Sequence, residues 1–199
     1  SMADKARQHG VELTMGEVPD YTLFADRLQI EVVLRNLLSN ALDAVADQPA
    51  GERRIWLTVQ PEGAGRIGVR VEDSGPGISG TNAERMFEAF ATSKESGLGL
   101  GLVISRAIVE AHEGQIVAEN RQLDGKVVGA SFRITLPLGQ PPGDDGTAAA
   151  LASCQTLGVA QFARLLLDGV ELADQGQRLV GATTLALGQH LAGVDETTA

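Results

Sequence analysis

Residues 27–47, RLQIEVVLRNLLSNALDAVAD, contain neither glycine nor proline. Leu28, Val32, Leu34, Leu38, Leu42 and Val45 recur within them at helical spacing. Asp26 offers an N-cap, and Pro49 with Gly51 closes the run. The chain must therefore accommodate one long amphipathic helix.

Around it the pattern changes to short alternating segments. Residues 53–60 and 66–73 read as strands joined by the turn PEGAG, and residues 115–120 and 130–138 read as a second pair separated by a polar, glycine-containing turn. Residues 11–15 and 21–24 alternate across a turn-rich piece and read as a hairpin. A helix is expected over 100–114, ending at Gly114, and a short one over 81–90, where Thr81 and Glu84 have capping-box spacing. GQPPGDDGT (139–147) has linker composition. Residues 148–199 are rich in Ala, Leu and Gly, and Leu151, Leu157, Phe162, Leu165, Leu166, Val170 and Leu172 are spaced for one or two amphipathic helices. The expected organisation is thus a domain over 1–138, a linker over 139–147 and a tail over 148–199.

Composition narrows the function. The net charge of −10 argues against general nucleic-acid binding while leaving room for a nucleotide in a local pocket. Seven acids and two bases from residue 140 onward supply −5 of it. Aromatics are 4% of the chain, so the core must be aliphatic. Cys154 is the only cysteine, which excludes an intrachain disulfide and a multi-cysteine metal site and fits a reducing compartment. His9, His112 and His190 lack metal-ligand spacing and read as surface or packing residues. No apolar run reaches the roughly 18 residues of a membrane span, and no signal peptide is visible. The opening Ser1-Met2 reads as a cloning remnant, pointing to a piece cut from a longer protein.

Four motifs carry chemistry. In NLLSNALDA (36–44), Asn36, Asn40 and Asp43 share one helix face. That stripe is either a solvated polar face or aims an amide oxygen at a metal ion; Mg²⁺ takes oxygen ligands, few of them from protein. DSGPGI (73–78) follows a strand. Its carboxylate can accept from an exocyclic amine such as adenine's, or it is a turn with a spare acid. In FEAFATSK (87–94), Phe87 and Phe90 read as core anchors, and Lys94 is either a solvated loop lysine or a phosphate contact. SGLGLGL (96–102) enters a helix, whose unpaired N–H groups and positive dipole end suit a polyphosphate.

In this order the four motifs resemble the asparagine, first glycine, phenylalanine and second glycine boxes of the ATP-binding catalytic domain of sensor histidine kinases. That superfamily also holds Hsp90, type II topoisomerase and MutL ATPases. The resemblance covers about residues 5–138 and is closest to the oxygen-sensing and C4-dicarboxylate-sensing kinases. It implies a two-layer α/β sandwich of the Bergerat type: a mixed sheet of about five strands with three helices on one face, and ATP between helices and lid.

The resemblance further implies Asn40 as the Mg²⁺ ligand, with Asn36 supporting it one turn earlier and Asp43 ordering water near the base. Asp73 would take the adenine amine, and Gly75 and Gly77 would shape the base pocket. Lys94 would reach the phosphates from the lid. Gly97, Gly99 and Gly101, with Leu98 and Leu100 between them, would form the lid hinge and present N–H groups. The implied partners are a histidine-bearing dimerisation domain of the same kinase and the receiver domain of a response regulator. No nucleic acid or direct membrane contact is implied, and the domain is expected in the cytoplasm, whether or not its parent is anchored in the inner membrane. Ala89 and Ala91 replace the subgroup's usual proline and aromatic, and Glu113-Gly114 its usual Gly-Gly.

Hydrolases of the superfamily carry glutamate where this chain has Asn36; an amide cannot take a proton from water. Phosphoryl transfer is therefore the expected reaction, needing mainly positioning and charge neutralisation. Neither His9 nor His112 resembles the acceptor, so the segment is expected to bind MgATP without completing transfer alone. A hydrolase or chaperone of the superfamily, or a non-catalytic docking module, are the alternatives.

Overall fold

The computed structural model describes residues 2–18, 20–63, 65–79, 86–88, 100–139 and 154–158. Its frame is a five-stranded mixed sheet in the order β1-β3-β4-β6-β5. The strands are β1 (Glu12–Met15), β3 (Arg54–Glu62), β4 (Arg66–Asp73), β5 (Gln115–Leu123) and β6 (Lys126–Pro137). β1 runs parallel to β3, and the other neighbours are antiparallel. Helices α1 (Met2–Gln8), α2 (Arg27–Val45) and α3 (Gly101–Ala111) pack on one face. This is the expected two-layer α/β sandwich.

Strand alternation divides the layers. Ile55, Leu57 and Val59, Ile67, Val69 and Val71, and Phe132, Ile134 and Leu136 are all buried toward the helices. Trp56, Arg70 and Arg133 take the opposite parity. On that face Arg133 donates twice to Glu62 (3.0 and 3.1 Å), and the Thr135 hydroxyl donates to the same carboxylate (3.0 Å). Burial raises the Glu62 carboxyl, but these hydrogen bonds outweigh it and hold the group below its ordinary range.

α2 begins as expected: the Asp26 carboxylate accepts from the Leu28 and Gln29 N–H groups at 2.9 and 3.1 Å. Its buried face differs from the expected stripe. Ile30, Val33, Leu34, Leu37, Leu38, Ala41 and Val45 are buried, whereas Leu28 is 72% and Val32 42% exposed. The period was right and its phase was displaced at the first two turns. α3 matches the helix expected from 100 onward, and Leu102 packs against the core. His112 closes the far end: its Nδ1–H donates to the Ile108 carbonyl (2.8 Å), and its Nε2 accepts from the Asp26 N–H (3.0 Å). It is a packing residue joining the end of α3 to the start of α2.

Three expectations are corrected. Residues 11–15 and 21–24 do not pair as a hairpin. β1 joins β3, while β2 (Thr22–Ala25) pairs antiparallel with β7 (Gln155–Gly158) in a separate two-stranded sheet. At residues 155–158 the expected helical spacing gives way to that strand, whose Leu157 is buried in the main core with Leu23. The polar turn expected over 121–129 is mostly strand; only Asp124 (φ 50°) and Gly125 (φ 75°) turn, both left-handed as a two-residue hairpin loop requires. Helix α1 was not among the expected elements, and its Met2 is 4% exposed and packs in the core.

Of the expected helix over 81–90, only 86–88 are described. Met86 and Phe87 form a 3₁₀ turn, and Phe87 is buried with the Arg106 guanidinium over its ring at 5.4 Å. Phe90, and the proposed linker and tail apart from Gly139 and residues 154–158, lie outside the described residues.

Candidate functional site

Asp73 ends β4 and is 1% exposed. Its Oδ1 accepts two backbone N–H bonds, from Gly75 at 2.8 Å and Ala130 at 3.1 Å. Both fall on one oxygen, so the carboxylate is held by one edge. Burial pushes its pKa up; the Gly75 and Ala130 bonds and the Arg121 charge pull down and only partly offset this.

The loop after Asp73 needs its glycines. A Cβ on Gly75 would lie 2.8 Å from the Ala44 carbonyl oxygen of α2. Gly77 has φ +81°, and a Cβ there would lie 2.4 Å from Val127 and 2.6 Å from the Asn120 side-chain oxygen. The loop is therefore pressed between α2 and the β5–β6 hairpin.

α2 also touches the other half of the site. The Asn36 amide donates to the Gly101 carbonyl (3.2 Å) and to the Ser105 hydroxyl (3.3 Å), and that hydroxyl donates to Gly101 (2.9 Å). Asn36 thus ties the first turn of α3 to α2. Leu100 caps α3 with no side-chain hydrogen bond, and no acid lies in its first turn. A helix start of this kind has backbone N–H groups that suit an anion. Asn40 is half-buried one turn beyond Asn36, and Asp43 is exposed nearer the Asp73 loop.

The structure thus brings Asn36, Asn40, Asp43, Asp73, Gly75, Gly77, Leu100 and Gly101 into one region built on α2. Lys94, Gly97, Leu98 and Gly99 lie outside the described residues.

Three supporting residues were missed by sequence reasoning. The Asn120 amide pairs with the backbone of Ile78, accepting its N–H at 2.6 Å and donating to its carbonyl at 3.1 Å. Arg121 donates to the Asp73 carbonyl at 2.8 Å, pairs with Glu72 at 3.3 Å and lies 4.3 Å over the Trp56 ring. It reaches Asp73 across Gly129, whose φ is +146° and whose Cβ, if present, would sit 1.8 Å from the Asp73 carbonyl oxygen. The Asp-Gly pair at 124–125 signals the hairpin but would by itself set Arg121 opposite Val128; an irregularity between Arg121 and Gln122 shifts its partner to Gly129.

A depression of about 450 Å³ lined by Asp20, Tyr21, Thr22, Leu138 and Gly139 lies elsewhere. Leu138 is eight residues beyond Ala130, roughly 26 Å along an extended chain. It shares no residue with the region around Asp73. Among the described residues, no three His, Cys, Asp or Glu side chains cluster as a metal site, and no helix is long and apolar enough to cross a membrane.

A buried strand-end carboxylate, a glycine loop against a helix and a helix start without a side-chain cap are parts that a nucleotide-binding α/β domain can use. Residues 25–140 match the family described as histidine kinase-, DNA gyrase B-, and HSP90-like ATPase, and the chain belongs to it. Relatives include sensor protein FixL of Bradyrhizobium diazoefficiens, 41% identical over 133 residues, covering 66% of this chain and 25% of FixL. Another is the C4-dicarboxylate transport sensor protein DctS of Rhodobacter capsulatus, 38% identical over 143 residues, covering 69% of this chain and 20% of DctS. The matched region is therefore a fifth to a quarter of these relatives' lengths. Among solved structures, the nucleotide-free catalytic domain of histidine kinase ThkA is 33% identical with a TM-score of 0.58, covering 68% of this chain and 84% of that one. The domain is thus the ATP-binding catalytic domain of the sensor histidine kinase class.

Proposed function

We propose that this domain binds MgATP along α2 and donates the γ-phosphoryl group to a histidine on a separate dimerisation domain of the same kinase, from which it passes to an aspartate on a response-regulator receiver domain. The carrying observation is the α2 stripe. Asn36 contacts the start of α3, Asn40 follows one turn on, and Ala44 contacts the Asp73 loop at Gly75. Eight residues of helix separate the ends by about 12 Å, comparable to the reach of a nucleoside triphosphate. The start of α3 suits the phosphates, and Asp73 suits the base.

In this reading the Asp73 oxygen not used by Gly75 and Ala130 accepts from the adenine amine, while Gly75 and Gly77 let the base approach backbone. Leu100, Gly101 and the N–H groups of α3 meet the phosphates, with Gly97, Leu98, Gly99 and Lys94 contributing from the lid. Asn40 would hold Mg²⁺ through its amide oxygen. The few-ligand mode suits a hard cation that shares its remaining positions with phosphate and water. When bound, the ion supplies charge neutralisation at the phosphates. Asp43 would order water near the base. Asn36 holds the first turn of α3 in place and, being an amide, offers no base to an attacking water. Transfer to histidine is therefore favoured over hydrolysis. The domain would act in the cytoplasm.

The test adds the dimerisation domain of a matching kinase, with Mg²⁺ and γ-labelled ATP, and looks for acid-labile phosphohistidine. Label on the histidine is expected, with little free phosphate from this chain alone. Rapid phosphate release without an acceptor would favour a hydrolase. ATP binding with no phosphohistidine would favour a docking module.

A further inference from the structure

We infer that Asn120 is a positioning residue for adenine recognition. This rests on the nucleotide reading above. The residue lies on β5, the edge strand beside β6, and belongs to none of the four sequence motifs. Its side chain treats Ile78 as a neighbouring strand would, accepting the backbone N–H and donating to the carbonyl of the same residue, at 2.6 and 3.1 Å. An amide paired both ways to one peptide unit fixes position and orientation together.

Ile78 is the last residue of the DSGPGI loop, whose other end is Asp73. That end is held by β6 through Ala130 and by β5 through Arg121. Asn120 and Arg121 are adjacent, so one stretch of β5 grips both ends of the loop. The spacing between the Asp73 carboxylate and the bare backbone at Gly77 is then set by β5. Gly77 shows how close the grip is, because a Cβ there would lie 2.6 Å from the Asn120 oxygen. Without Asn120, the Ile78 peptide loses two partners and the loop can drift while Asp73 stays bonded to Gly75 and Ala130. The loss should fall on discrimination of the base and spare attraction for the phosphates.

The test uses the full chain with Mg²⁺ and calorimetric titration of two ligands: ATP, and the purine riboside triphosphate that lacks the exocyclic amine. The unmodified chain should prefer ATP. Asn120→Ala should weaken ATP about 10-fold or more, leave the analogue within about threefold, and so shrink the preference. Equal weakening of both ligands, or ATP affinity within about twofold of the unmodified chain, would overturn the inference. An unmodified chain that binds neither ligand defeats the nucleotide reading itself, and the inference with it. Should Asn120→Ala not fold, Asn120→Asp gives the same comparison: it keeps an acceptor for the Ile78 N–H and sets an anionic oxygen against the carbonyl. Hydrogen exchange on the unmodified chain is a further check. The Ile78 amide should be strongly protected, and exchange at the rate of an open loop would overturn the assignment.

Discussion

Asp73→Asn should separate stability from binding. The amide oxygen can still accept from Gly75 and Ala130, so the loop keeps its anchor. In the proposed mode the amide nitrogen would then face the adenine amine, and donor would meet donor. Flipping the amide restores an acceptor for the base but forfeits both backbone bonds. The loss comprises a charge-assisted hydrogen bond, about 1.5–3 kcal/mol, and a ligand donor left without a partner, about 1–3 kcal/mol more. A total of about 2.5–6 kcal/mol corresponds to an ATP Kd weakened by roughly two to four orders of magnitude. Stability should move the other way. Burial raises the native pKa of Asp73, so its proton stabilises the fold at low pH, and that contribution is lost as pH rises through the raised native value. At neutral pH the buried charge is a cost that the amide removes. Titration calorimetry and thermal melts at pH 7 should show lost ATP binding with an equal or higher Tm. An ATP Kd within about threefold of the unmodified chain, or a Tm several degrees lower, would refute the reasoning.

Other perturbations test the supports. Gly129→Ala places a methyl 1.8 Å from the Asp73 carbonyl oxygen at a φ of +146°. It should cost at least about 3 kcal/mol in chemical unfolding and weaken ATP binding; a near-neutral result would contradict the close approach. Asn36→Ala removes two donations to the first two turns of α3. It should lower stability by about 1–2 kcal/mol and speed amide exchange at the start of α3. Glu62 is held below its ordinary range, so the stability it confers is full above about pH 4.5 and disappears as pH falls through its native value. Glu62→Gln should flatten the acid limb of the Tm–pH curve, and an unchanged slope would show that the carboxylate contributes nothing there.

Local chemistry explains what the sequence revealed. The Asp26 cap marks the start of α2, and close-range turns fix β3–β4 and β5–β6. Asp73 stood out because a carboxylate at a strand end followed by two glycines is written in consecutive residues. The displaced phase of α2 shows the limit: Leu28 and Val32 fit the period, but which turn meets the sheet is decided by distant packing. β1 and β2 were misread for the same reason. Both alternate, yet their partners are Arg54–Leu57 and Gln155–Gly158, and alternation says nothing of a partner's identity. Asn120 read as the end of a strand and Arg121 and Gly129 as turn composition, and only the register across β5 and β6 turns them into supports for Asp73.

The β2–β7 pair also bears on how the chain matures. Ala25 and Gln155 are partners 130 positions apart, which makes their closure among the slowest contacts to form. On a ribosome, β2 emerges long before β7, and the five-stranded sheet can assemble in between. Throughout that interval β2 presents bare N–H and C=O groups beside the socket for Leu157. An early-made strand waiting for a late-made one is open to the same strand of a neighbouring nascent chain. Delayed synthesis of residues 155–158 should therefore lengthen the time β2 spends as an unpaired edge.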